Sequence, residues 1–405
     1  MTDSGERQPV HTVYGGAHLF KAEIGSILGA RALETMRTYS PDPITFAEFI
    51  GLRGGEELAG TVYRRTMAKL EREPVEDYRI DFEDGYGIRT EAEEDAHAVS
   101  TARAVARGAR QAGFPPFLGI RIKPLTEASR ARSFRTLDLF LNTLVSEGDV
   151  PANFVVTLPK VTAPQQVTAL LRKLEPFESV KLELMIETPE SIIDASGQIA
   201  IPKLLDAAEG RCRALHFGVY DYTAACEITA EHQTMTHPAC DFARHVMQVS
   251  SAGRNVTLSD GATNILPISK DRAVVERAMR LHFEHVQRSL AHGFYQGWDL
   301  HPAQLPTRYA AVYAFFLQSF DAAAARLRNF VEQAARATTV GNVFDDAATG
   351  QGLLNFFLRG INCGAFTEEE ASATGLTLEE LRSRSFAKIL ERRRKTSGGV
   401  AEPRP

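Results

Sequence analysis

The sequence predicts an α/β fold: a (β/α)8 TIM barrel with a helical C-terminal extension. Three observations carry this expectation. Eight short runs rich in β-branched and aromatic residues alternate with longer amphipathic segments. The runs are near-continuously apolar, as in a parallel sheet covered on both faces. The polar residues ending runs two to eight (Asp84, Arg121, Lys160, Glu187, Asp221, Asp260 and His301) recur at an even spacing, the repeat of a barrel. A doubly wound open sheet is the alternative topology.

Taken in order, strands are expected at 11–17 (HTVYGGA), 78–84 (YRIDFED), 117–123, 153–161, 182–188, 214–222, 255–260 and 295–301. The crossover at 90–112 carries acids early and arginines late, as the helix dipole favours. The one at 163–173 opens with Pro in its first turn. The one at 270–292 has apolar residues at helical spacing. The first crossover is unusually long, so extra helices are expected at 31–38 and 55–70. After His301 the expected elements are helices at 309–337, 351–360 and 377–394, with a loop at 343–350. The domain organisation is then a barrel over 11–302, a helical segment over 303–395 able to serve as lid or oligomer contact, and a disordered tail over 396–405.

Composition bounds the function. At 405 residues, 44% hydrophobic and 24% charged, the chain is ordinary globular protein rather than collagenous or low-complexity. A net charge of −5 gives no electrostatic case for nucleic acid. Cys212, Cys226, Cys240 and Cys363 form no CxxC pair, which suits reduced thiols in a cytoplasmic protein. The opening MTDSGERQPV has no apolar h-region, and no stretch reaches the ~20 apolar residues of a membrane helix. Neither secretion nor a membrane partner is expected.

Barrel active sites lie at the C-terminal ends of the strands. Glu187, in LMIETPES, follows an apolar run that Pro189 ends; a carboxylate there is costly unless paired or metal-bound. Asp221, in HFGVYDYTA, has the same character on the next strand. Two carboxylates on adjacent strands suit Mg²⁺, which takes few protein ligands and keeps waters; helix capping or pairing with a nearby base is the plainer alternative. In RIDFEDGYG, Asp81 and Glu83 share one face and Phe82 and Asp84 the other. These acids suit metal-bound waters, nearby cations or a helix cap. Arg121 and Lys123, in GIRIKP, share a face. Arg121 is either a bidentate holder of a carboxylate or enolate oxygen, or the partner of Glu83 or Asp84 in a buried pair. Lys160, in TLPKV, suits an electrostatic role above a Schiff base. His301 reads as a structural hydrogen-bonder ahead of a base. Asp260 could orient a nucleophile or make an Asx turn. Gly15–Gly16 allows close approach of an anion, or simply a turn.

The order DFEDGYG, IRIKP, LPKV, MIETPES, GVYDYTA and GFYQGWDLHPAQ, from about Tyr78 to Gln304, resembles the citrate lyase β-subunit/malyl-CoA lyase group. That group belongs to the HpcH/HpaI aldolase family of phosphoenolpyruvate/pyruvate-binding barrels. The resemblance implies a Mg²⁺-dependent (or Mn²⁺-dependent) carbon–carbon lyase. It makes Glu187 and Asp221 the metal ligands and places Glu83 and Asp84 on metal-bound waters. Arg121 holds the substrate, with Gly218 and Pro189 lining its pocket. CoA-using members carry an Arg-Ser near strand one; here HTVYGGAHLF has none. Relatives also use an Asp from a C-terminal lid, often a neighbouring subunit's, for which Asp345 and Asp346 in VFDDAATG are the nearest candidates.

The expected reaction is aldol or Claisen-type cleavage, or the reverse condensation, of a small hydroxy or oxo acid or its CoA thioester, in a homo-oligomer. Phosphoryl transfer on an enolpyruvate is the second reading, although no GxxxxGK[ST] loop is present. A non-catalytic barrel subunit is the third.

Overall fold

The structure, a computed structural model, describes residues 7–336, 347–383 and 385–397. Its centre is a closed barrel of eight parallel strands in sequence order. They are β1 (His11–Gly16), β2 (Asp77–Asp81), β3 (Phe117–Arg121), β4 (Phe154–Leu158), β5 (Lys181–Ile186), β6 (Cys212–Phe217), β7 (Thr257–Ala262) and β8 (Gln296–Asp299). β1 pairs with both β2 and β8, which closes the ring. The predicted barrel is therefore the observed one, but seven strands stop one to five residues short of their expected ends. β1 stops at Gly16 and β7 runs on to Ala262.

The first crossover holds three helices, Ile24–Tyr39, Pro43–Ile50 and Gly55–Arg72, where two were expected. The added one is locally specified. Asp42 accepts from the backbone N–H of Ile44 and Thr45, Pro43 occupies the first turn, and Gly51 ends it at φ 77°. The helix Glu91–Gly108 opens on a capping box in which Thr90, not Asp84, is the cap.

The C-terminal region begins with the 32-residue helix Leu305–Arg336. It packs on Arg272–Ala291 and on Gly55–Arg72. Arg308 ties it to the barrel by donating to buried Asp299 at 2.9 Å; His11 and His282 lie 3.1 Å from the same carboxylate. The region continues as Ala347–Cys363, Glu368–Ala371, Leu378–Arg382 and Phe386–Ser397. Three expectations change here. The loop at 343–350 gives way to helix from Ala347. The single helix at 377–394 is two pieces, the first capped by Thr377. Thr396 and Ser397, assigned to the tail, close the last helix; residues 398–405 lie outside the described residues.

The strands are not uniformly apolar. β2 reads Asp-Tyr-Arg-Ile-Asp, and its period of two sends Tyr78 and Ile80 toward the helices and Asp77, Arg79 and Asp81 into the barrel. Arg79 pairs with Asp77 and donates to Glu183 at 2.5 Å and to Thr157 at 3.1 Å. His216 Nε2 lies 2.9 Å from Glu183, and the Tyr14 hydroxyl donates to Glu183 at 3.3 Å. Side chains from five strands can meet like this only along the barrel axis. On the helix-facing side Gly15 leaves room for Tyr78, since a Cβ there would fall 2.0 Å from the Tyr78 hydroxyl. The Gly15–Gly16 pair thus serves packing rather than a turn.

Arg79→Met would leave Asp77 and Glu183 facing each other without their cation. Breaking a buried ion group costs about 3–5 kcal/mol. Urea unfolding should show a loss of that size; a change under about 1 kcal/mol would contradict the network's role.

Candidate active site at the strand C-termini

The site grows from the residues just past β2–β6. Asp81 ends β2 with a carboxylate that takes four donors: Arg121 Nε at 2.7 Å and Nη2 at 2.5 Å, Glu83 N at 2.9 Å and Gly85 N at 2.7 Å. Arg121 is thus a buried bidentate partner of Asp81; of the two expected partners, Glu83 is also paired with it and Asp84 is not. Its remaining Nη1 lies 3.1 Å from Glu83 Oε2 and 3.6 Å from Met185 Sδ. Its guanidinium sits 4.9 Å from the Tyr14 ring centroid, a cation–π contact that fixes its plane.

Lys160 follows β4 by two residues, at φ 48°, in the left-handed region that a lysine adopts only when its surroundings hold it there. That bend lets its backbone N–H donate to Glu187 Oε1 at 2.6 Å. Its ammonium reaches the other way: it pairs with Glu83, donates to Asp84 Oδ2 at 3.0 Å, and lies 3.8 Å from Asp221 Oδ1. The net effect of these acids raises the Lys160 pKa above the usual lysine range, against a burial penalty that is the largest single influence. An imine-forming lysine needs the opposite shift, so the geometry suits a fixed positive charge.

Glu187 is the most constrained acid. It is buried, and its Oε2 has no hydrogen-bond partner. Burial and then the neighbouring Asp221 charge push its pKa up to about 8. Gly218, just past β6, makes room for it: a Cβ there would fall 2.5 Å from Glu187 Oε2. Asp221 is not at a strand end, as expected, but in the first turn of the helix Val219–Ala225, and it is partly exposed. Pro189 is half-buried in the first turn of the short helix Pro189–Ile192, which Thr188 caps.

A divalent cation fits these residues on one observation, the orphaned Oε2 of buried Glu187 in a pocket with an excess of carboxylate charge. Glu187 and Asp221 would hold it. Among the described residues no group of three or more His, Cys, Asp or Glu could hold a metal ion, so water or substrate oxygens would complete the shell.

Other candidates go elsewhere. Lys123 donates to the Phe82 carbonyl at 2.8 Å and lies 3.2 Å from Glu94, away from Arg121, because β3 ends before it. Asp260 points outward from β7 to Arg244 at 2.9 Å and Ser289 at 2.5 Å, so it orients no nucleophile. His301 Nδ1 accepts from Ala303 N at 3.2 Å, a helix cap in the structural role expected. Asp345 and Asp346 lie outside the described residues. Sequence reading also passed over Tyr14 and Trp298, whose rings lie 4.7 Å apart. The indole N–H of Trp298 is buried without a partner. The signal for such residues was the alternation within strands.

The fold is shared with solved structures. A citrate lyase from Burkholderia xenovorans aligns at TM-score 0.58 and 16% identity, over 93% of this chain and 99% of that one. A Haloferax volcanii malate synthase aligns at 0.49 and 15%, over 96% and 98%, and an HpcH/HpaI aldolase from Desulfitobacterium hafniense at 0.40 and 14%, over 75% and 90%. The likeness to the citrate lyase is one of fold, a (β/α)8 barrel. No curated protein matches the chain. A family model described as "Domain of unknown function (DUF6986)" matches residues 2–389, and the chain belongs to that family.

Asp81→Asn should cost about 3–5 kcal/mol by unpairing buried Arg121. Asp84→Asn, at an exposed carboxylate, should cost no more than about 1 kcal/mol. Equal losses in denaturant melts would contradict the division of roles between these acids.

Proposed function

We propose that the protein is a divalent-metal-dependent carbon–carbon lyase that cleaves or forms a small hydroxy or oxo acid by aldol or Claisen-type chemistry. The observation that carries this reading is the orphaned, buried Glu187 carboxylate facing Asp221 and flanked by Arg121 and Lys160. A site that binds an oxo acid and stabilises an enolate needs convergent positive charge beside fixed oxygen ligands, and these four residues provide both. The fold likeness to a citrate lyase supports it.

In this reading Glu187 and Asp221 hold Mg²⁺ or Mn²⁺. The cation would supply positive charge against the oxygen on which negative charge develops. Arg121 presents Nη1 to the substrate carboxylate, its other edge being held by Asp81. The Trp298 indole N–H is available to donate to a second substrate oxygen. Lys160 balances Glu83 and Asp84 and keeps the acid cluster from repelling an anionic substrate. Met185 and Tyr14 exclude water from the face of Arg121. The proton on the substrate hydroxyl is assigned to the segment bearing Asp345 and Asp346, lent by a second copy of the chain.

A panel of 2- and 3-hydroxy acids and their CoA thioesters, assayed for glyoxylate, pyruvate and oxaloacetate, tests this. Turnover should stop on chelation and return with Mg²⁺ or Mn²⁺. Glu187→Gln and Asp221→Asn should each lower it at least about 100-fold and weaken Mn²⁺ binding measured by electron paramagnetic resonance. Undiminished turnover in chelator, or in Glu187→Gln, would refute the assignment.

A further inference from the structure

Tyr14 lies where the closed layers of the barrel meet the open one. It is half-buried on β1, in register with Arg79 on β2. Its neighbours along the strand, Val13 and Gly15, face the helices, so its ring lies in the barrel interior. The hydroxyl end is anchored. It donates to Glu183 Oε1 at 3.3 Å and lies 3.2 Å from His216 Nδ1. Glu183 is itself held by Arg79 at 2.5 Å and by His216 Nε2 at 2.9 Å.

The ring end carries the two groups that the proposed lyase turns to its substrate. The Arg121 guanidinium carbon lies 4.9 Å from the ring centroid. The Trp298 ring lies 4.7 Å away, at an interplanar angle of 34°. Arg121 comes from β3 and Trp298 from β8; β1 lies between them in the closed ring, and Tyr14 touches both. Asp81 grips Arg121 along one edge, in the plane of the guanidinium. An edge contact leaves that plane free to tilt, and an aromatic ring against its face stops the tilt. Trp298 has no hydrogen bond to orient its indole N–H, so ring packing sets its direction. Burial, and then the Glu183 charge, hold the Tyr14 pKa well above the usual tyrosine range. The hydroxyl keeps its proton and, with both its partners in the closed layer, takes no part in proton transfer at the mouth.

We propose that Tyr14 is a positioning residue: through its anchored hydroxyl it holds the Arg121 guanidinium and the Trp298 indole in one fixed relation to the substrate. This deepens the lyase reading and rests on it for the substrate; the positioning of the two side chains rests on the contact geometry alone. Arg121 and Trp298 hold substrate oxygens in the ground state and the transition state alike. Misplacing them therefore weakens binding more than it slows chemistry.

Two variants separate ring from hydroxyl: Tyr14→Leu removes both, and Tyr14→Phe removes the hydroxyl alone. For the acid that the panel identifies as substrate, KM should rise at least about tenfold in Tyr14→Leu and about threefold in Tyr14→Phe, with kcat within about twofold of wild type. A merely structural loss of folded protein lowers kcat and leaves KM alone. A second readout needs no turnover. The chain has 1 Trp, which is Trp298, so tryptophan emission reports on this contact directly. In metal-free protein Tyr14→Leu should shift that emission to the red and speed its quenching by acrylamide, with Tyr14→Phe between it and wild type. Should Tyr14→Leu not fold, Tyr14→Phe carries both readouts. Unchanged emission or unchanged KM in a folded variant, or a fall in kcat that matches the rise in KM, overturns the proposal. A wild type that turns over no acid of the panel overturns the lyase reading instead, and the emission then decides the positioning.

Discussion

An ionised carboxylate inside a protein costs several kcal/mol unless a cation lies against it, and this barrel holds a column of them. Asp77 and Glu183 are neutralised by Arg79, with His216 beside Glu183. One layer higher, Asp81 is neutralised by Arg121. Above that the pairing runs short: Glu83, Asp84 and Asp221 converge on the Lys160 ammonium, and Glu187 receives only a backbone N–H. The lower layers are closed and structural. The top layer is short of positive charge, and the proposed cation site rests on that deficit.

The same pairing logic orders the two poles. The C-terminal mouth is rich in acid, with its cations already committed to carboxylates. The N-terminal end is rich in base, with Arg211 committed to main-chain carbonyls. The Asn355 and Arg359 positions of the helix Ala347–Cys363 line the N-terminal pole, so this part of the C-terminal region is a floor.

The barrel was legible because burial between helices imposes apolar, β-branched outward faces, and because the chemistry recurs at each strand end. Glu187, Arg121 and Lys160 stood out as charges interrupting such runs, and the structure brings them together with Glu83 and Asp84. What was not legible follows from the period of two. Reading strands as continuous apolar runs hid the inward Asp77 and Arg79, and Arg121, expected to pair with Glu83 or Asp84, pairs with Glu83 and more closely with Asp81. Strand ends were also overrun: a turn after Phe217 starts a helix at Val219, which moved Asp221 off the sheet. Trp298 drew no expectation from the sequence and is an unpartnered donor, a fact that only packing reveals.

The proposed cation site lies between Glu187, whose buried Oε2 has no hydrogen-bond partner, and Asp221. Crystals grown with Mn²⁺ and measured at its absorption edge test it most directly. One anomalous peak is expected between the Glu187 and Asp221 carboxylates, absent from Glu187→Gln crystals. A peak elsewhere on the barrel, or one that persists in Glu187→Gln, would contradict it.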